Sequence, residues 1–141
     1  MIMQPTSGVI AMHDPDSHLA VARRFLEALN SNDGDAVRQI YHPQARIWHS
    51  FHPDGLQSVE DNVKTLAWMH RKLPELHYDV LRLQALPDGY LQQHVLRGAM
   101  ADGTAIALHA CAICTVEDGR ITALEEYLDP AQVAALQARA D

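Results

Sequence analysis

Two adjacent glutamates and nine histidines are the residues of this chain best suited to moving protons. Residues 121–128 alternate in polarity, with Leu124, Glu126 and Leu128 on one face of a strand and Ala123, Glu125 and Tyr127 on the other, so one of the two glutamates must face inward. A carboxylate between two leucines in a closed cavity is expected to have a raised pKa and to exchange protons near neutrality; on an open edge it is a solvated charge. Cys111 and Cys114 stand three apart on a strand and point to opposite faces, which suits two small apolar residues and not a shared metal or a disulfide. His49, His52, His109 and Cys111 lack the spacing of a zinc signature, so no metal and no organic cofactor is expected.

These groups need elements to hold them. From Ser17, Leu19, Ala22, Phe25, Leu26 and Leu29 recur with a helical period; Asn30 to Gly34 form a turn, and Val37, Ile40 and Tyr41 give a shorter helix that His42-Pro43 ends. A short strand at residues 45–50 precedes a polar loop with Pro53, Asp54 and Gly55. Ser58 and Asp61 cap a third helix with a stripe of Val59, Val63, Leu66, His70 and Leu73, which Pro74 closes. His70 is therefore a hydrogen-bonded core histidine or a group on a pocket wall.

Residues 76–86, 90–100, 105–116 and 121–128 read as four strands joined through Asp88-Gly89, Asp102-Gly103 and Asp118-Gly119, an antiparallel meander. Within the second of these, either Gln93, Val95 and Arg97 or Gln92, His94 and Leu96 face the core. The third offers an apolar set from Ile106 through Leu108, Ala110, Ala112 and Cys114 to Val116, leaving His109 outside. Asp129-Pro130 opens a last helix with Val133, Leu136 and Ala140 on one side. Three modest helices cannot cover both faces of such a sheet, so it should bend over them, leave a cone for a small apolar molecule, and pair its outer face with a second copy as a homodimer.

Composition narrows the function classes. The 141 residues are 48% hydrophobic and 21% charged with a formal charge of −7, and no basic cluster offers a surface for nucleic acid. No apolar run is long enough to span a membrane. The absence of a secretory leader pattern and of a disulfide framework makes the cytoplasm the expected location. Residues 1–16 read as an irregular arm and residues 17–141 as one domain.

The segments Arg24-Phe25-Leu26-Glu27-Ala28-Leu29-Asn30-Ser31-Asn32-Asp33, Ile40-Tyr41-His42-Pro43-Gln44-Ala45-Arg46-Ile47-Trp48-His49 and Asp118-Gly119-Arg120-Ile121, with Glu126-Tyr127-Leu128-Asp129-Pro130, resemble the SnoaL-like branch of the nuclear transport factor 2-like superfamily. The resemblance implies an α+β fold: a cone-shaped barrel of three N-terminal helices on a strongly curved, mostly antiparallel sheet, with a short C-terminal helix. Against the ketosteroid isomerases of that superfamily, Phe25 stands where a tyrosine stabilises the oxyanion, His49 near the aspartate base, and Cys111 or Ala112 near the partner acid. Against limonene epoxide hydrolase, Glu126 matches the catalytic aspartate, Gln93 and Val95 fall at its arginine and second aspartate, and Trp48 and Ser50 at its water-positioning tyrosine and asparagine.

The resemblance thus implies a cofactor-independent isomerase, cyclase or dehydratase acting on a small, apolar, oxygen-bearing molecule. In that reading His49 and Glu126 are the acid–base pair. Gln93 or Arg97 orients a substrate oxygen, Trp48, Phe25 and Leu108 wall the pocket, and His70 is a reserve proton donor. The alternative is a ligand-binding or dimeric assembly module that keeps the cone without the chemistry.

Overall fold

The computed structural model describes residues 14–140 of the chain; the expected arm at residues 1–16 falls mostly outside them. Asp14 accepts a hydrogen bond from the Asp16 amide and opens α1 (Pro15–Asn30), two residues before the expected start. Asp33 caps α2 (Gly34–Ile40) through the Ala36 amide, and α2 runs directly into β1 (Tyr41–His49). The strand is thus longer than expected, and Pro43 sits inside it. It can do so because β1 is an edge strand whose pairing shifts register between Tyr41 and Arg46, so the missing N–H interrupts no ladder bond there.

The capping box of Ser58 and Asp61 starts α3 (Val59–Lys72). There follow β2 (His77–Leu86), β3 (Gly89–Ala99), β4 (Ala105–Glu117), β5 (Arg120–Leu128) and α4 (Pro130–Ala140). The strands lie in the order β1-β5-β4-β3-β2, with β1 parallel to β5 and every other pair antiparallel. The five-stranded sheet is not closed, since β1 and β2 stay at opposite edges. Gly89 is required where β3 starts, because a Cβ there would collide with the Cys114 carbonyl across the pair.

Helices α1 to α3 cover the concave face with Val21, Ala22, Phe25, Leu29, Val37 and Val63, packed on Tyr41, Ile47, Tyr90, Cys114, Ile121 and Leu124. A second cluster, Leu73, Leu76, Leu96, Met100, Leu108 and Leu136, fastens α4 over the other end of the cone. The two clusters bury Ala22, Phe25 and Leu29 of the expected α1 stripe and Leu108, Cys114 and Val116 of the expected β4 set, in which Ala112 is buried too. Leu19 and Leu26 are only partly buried, and Val21 and Ala28 complete the α1 face.

Two irregularities decide which side chains face inward. The β4–β5 hairpin closes on Asp118-Gly119, both at positive φ, but an extra residue, Thr122, shifts the register beyond Val116. Glu126, and not Glu125, is thereby brought opposite Ala112. The β3–β4 hairpin is centred on Asp102, with Ala99 opposite Ala105 and Gly103 at a φ of 88°, a three-residue loop where Asp102-Gly103 suggests two. That single residue sets Gln92 opposite Ala112 and His94 opposite Ala110, on the concave face.

Candidate active site

Three polar side chains from three strands converge in the cone. Register opposes His49 of β1 to Glu126 of β5. Ser50 locks that register: its amide donates to the Glu126 carbonyl at 2.9 Å, and its hydroxyl donates to the Leu128 carbonyl and accepts from the Leu128 amide, both at 2.9 Å. From the other side His94 of β3 reaches over β4 to the same carboxylate. Strands two apart in a sheet are separated by about 10 Å. The intervening β4 residues on this face are Ala110 and Ala112, too small to fill the space between.

His49 Nε2 lies 3.4 Å from Glu126 Oε1 and His94 Nε2 3.2 Å from Glu126 Oε2. The His94 side chain is 3% exposed and that of Glu126 18%. Gln92 Nε2 lies 3.1 Å from His94 Nδ1. With the Gln92 amide donating, Nδ1 is an acceptor and the His94 proton sits on Nε2, aimed at the carboxylate. The trio is therefore an imidazole N–H aimed at a carboxylate, with His49 beside the second oxygen.

Burial opposes ionisation of Glu126, but the His94 hydrogen bond and the fields of His94 and His49 outweigh it and hold the carboxyl below its ordinary value. This corrects the expectation of a raised pKa, which took account of the flanking leucines and not of two imidazoles. His49 moves downward too: burial, only partly offset by Glu126, lowers it from 6.5. At neutral pH the site thus holds one carboxylate beside an uncharged His49. Tyr78, its ring 5.2 Å from that of His94, is kept protonated by burial and by the charge of Glu126.

The cavity around them has a volume of about 130 Å³. For scale, an apolar cavity of roughly 150 Å³ accommodates benzene. Phe25 and Leu108 line it, together with Ala110, Ala112, Leu124, Leu128 and Leu136. A second polar group faces it from β1, the following loop and α3. Tyr41 donates to Asn62 Oδ1 at 3.0 Å, Asn62 Nδ2 to Gln57 Oε1 at 3.0 Å, and Gln57 Nε2 to Thr65 Oγ1 at 3.2 Å.

Four expected site residues lie elsewhere. Gln93 and Arg97 are exposed on the convex face, paired with Cys111 and Ala107, and Arg97 Nε donates to Asp79 at 3.0 Å. The three-residue β3–β4 loop is the reason: it turns Gln92, His94 and Leu96 inward. The positions Gln93 and Val95 that the resemblance implied are thus one residue away from the cavity pair Gln92 and His94, which have the same spacing. Trp48 is also on the convex side, with Nε1 donating to the Pro53 carbonyl and its ring 5.1 Å from Tyr127. His70 Nε2 lies 2.8 Å from the Leu29 carbonyl and ties α3 to α1 outside the cavity, the hydrogen-bonded alternative of the two considered. His109 is exposed and Cys111 lies on the same outer face, away from His49. Among the described residues no three His, Cys, Asp or Glu side chains are arranged to hold a metal ion, and no helix is long and apolar enough to cross a membrane.

Residues 22–124 match the family model of the SnoaL-like domain. No curated protein matches the chain. Among solved structures, an LEH-like epoxide hydrolase from M. tuberculosis superposes with a TM-score of 0.70 at 17% identity, covering 89% of this chain and 92% of that one. A protein from Jannaschia sp. CCS1, provisionally assigned as a SnoaL-like polyketide cyclase, gives 0.73 at 18%, covering 98% of each. A protein from Catenulispora acidiphila with a ketosteroid isomerase-like fold, in complex with trimethylamine, gives 0.71 at 12%, covering 84% and 92%. At these identities the likeness is one of fold.

The two lowered pKa values have a consequence for stability. A group that is harder to protonate in the folded state binds more protons when unfolded, so its contribution is complete above the unfolded value and disappears as pH falls. Thermal melts should therefore show stability falling below pH 6.5 as His49 is engaged and further below 4.5 as Glu126 is. His49→Gln should flatten the upper limb and Glu126→Gln the lower; melts of both variants that track the unsubstituted protein at every pH would contradict this assignment.

Proposed function

The chain belongs to the SnoaL-like domain family, and from that membership and the trio in the cone we propose that it is an acid–base enzyme acting on a small, largely apolar molecule that bears a carbonyl or similar oxygen. The observation that carries the proposal is the pairing of His49 with a buried carboxylate fixed from its far side by His94. His49, uncharged at neutral pH, takes a proton from carbon next to the substrate carbonyl or from a bound water. The imidazolium that forms lies against the Glu126 anion, which stabilises it as it develops. His94 and Gln92 keep the carboxylate in place. The Tyr78 hydroxyl, kept protonated, is on a residue that lines the same cavity and can donate to an enolate oxygen. Return of the proton to a different atom gives isomerisation. Attack of the carbanion on a second carbonyl carbon of the same molecule breaks that C=O π bond, and the alkoxide formed takes the proton back from the His49 imidazolium, which gives cyclisation.

A second reading makes Glu126 itself the base, which the match of Glu126 to the epoxide hydrolase aspartate favours. The pH profile separates the two. Activity carried by His49 rises with pH through a midpoint somewhat below 6.5, whereas activity carried by Glu126 is already complete there and is lost only below 4.5.

The reaction can be followed without knowing the natural substrate, as exchange of α-protons of cyclohexanone and cyclohex-3-enone with D2O by NMR. The protein should accelerate exchange over buffer. Glu126→Gln should reduce the acceleration at least tenfold and His49→Gln about a hundredfold, the usual scale of a lost general base. No acceleration, or equal acceleration by both variants, removes the proposal and leaves the ligand-binding alternative.

Pairing of two copies through the convex face is part of the same proposal, supported by the 48% exposure of Tyr127 beside Trp48. Sedimentation at micromolar concentration should give twice the chain mass, and Tyr127→Glu should shift it toward the monomer; a monomeric unsubstituted protein would contradict this.

A further inference from the structure

The cavity has a second polar pole that the proton-transfer trio does not use. Its hydrogen bonds run in one direction only. The Thr65 hydroxyl donates to the Asp61 carbonyl at 3.0 Å, so it must accept from Gln57; Gln57 then presents its oxygen to Asn62, and Asn62 its oxygen to Tyr41. This fixes both carboxamides against flipping. Each spends one N–H inside the chain, and each keeps a second N–H on a side chain that lines the cavity. Asn62 is 6% exposed, and a buried N–H without an acceptor is costly enough that its place is normally filled by a ligand or a water.

We propose that Asn62 and Gln57 form a recognition site for a second, uncharged acceptor oxygen of the substrate, distinct from the oxygen at the trio. The free N–H groups of the site suit a ketone, ester or lactone oxygen. Neither lysine nor arginine is among the residues lining the cavity, and the Glu126 anion stands within it, so a carboxylate ligand is disfavoured. The substrate class is thus a neutral molecule, apolar in its middle and oxygenated at two places. This rests on the reading that the cavity holds a small oxygen-bearing molecule, but not on any proton transfer.

The test is a titration of the full ¹⁵N-labelled chain with cyclohexane-1,4-dione and, separately, with 4-methylcyclohexanone, which lacks the second oxygen. The dione should bind at least fivefold more tightly and move the side-chain NH2 signals of Asn62 or Gln57 saturably; Asn62→Leu should close the gap between the two ligands. The wild-type carboxamide signals give the same answer should the leucine variant not fold. Equal affinity for the two ligands, no binding of the dione, or binding that moves the backbone amides of Ala110 and Ala112 while both carboxamides stay still overturns the proposal. The titration reads binding and needs no proton transfer, so failure of the exchange chemistry and failure of this site are separate results.

Discussion

A carboxylate removed from water must be given compensating partners, and the geometry of this cone is organised by how they reach Glu126. Taking such a group out of solvent costs several kcal/mol even after relaxation, and one good hydrogen bond does not offset it alone. Here the partners arrive from two sides: His94 from β3 and His49 from β1. The His94 contact would not form if β4 carried large residues between β3 and β5, so Ala110 and Ala112 matter as much as the polar groups they separate. The anion in turn suits an uncharged base at His49, because an imidazolium formed there has its counter-charge in place.

Most of the architecture was legible from the residue pattern, and the reasons are local. The stripe of α1, the Ser58–Asp61 box and the unbroken apolar set of β4 each follow from side-chain period and capping chemistry. What a period of two cannot give is its own phase. A two-residue turn at Asp102-Gly103 would bring Gln93 inward; the three-residue loop actually formed brings in Gln92 and His94 instead. The β3 positions that the resemblance implied, Gln93 and Val95, therefore lie off the cavity face.

Glu126 illustrates the converse. Its inward orientation depends on the extra residue at Thr122, which no turn motif announces, and its lowered pKa depends on a histidine two strands away. The side chains missed by sequence reasoning share that character. Tyr41, Gln57 and Asn62 come from a strand, a loop and a helix, and only the folded chain brings them into one hydrogen-bonded row. One available signal was the apolar β4 set, which fixes the inner face of β3 once the hairpin centre is known.

The most direct measurement of the central claim is a ¹³C NMR titration of the Glu126 carboxyl carbon in the intact protein. A carboxylate secured by His94 and faced by His49 should titrate below 4.5, the ordinary glutamate value. A midpoint above 4.5 would mean that burial prevails over the two imidazoles, and would contradict the compensated carboxylate on which this account is built.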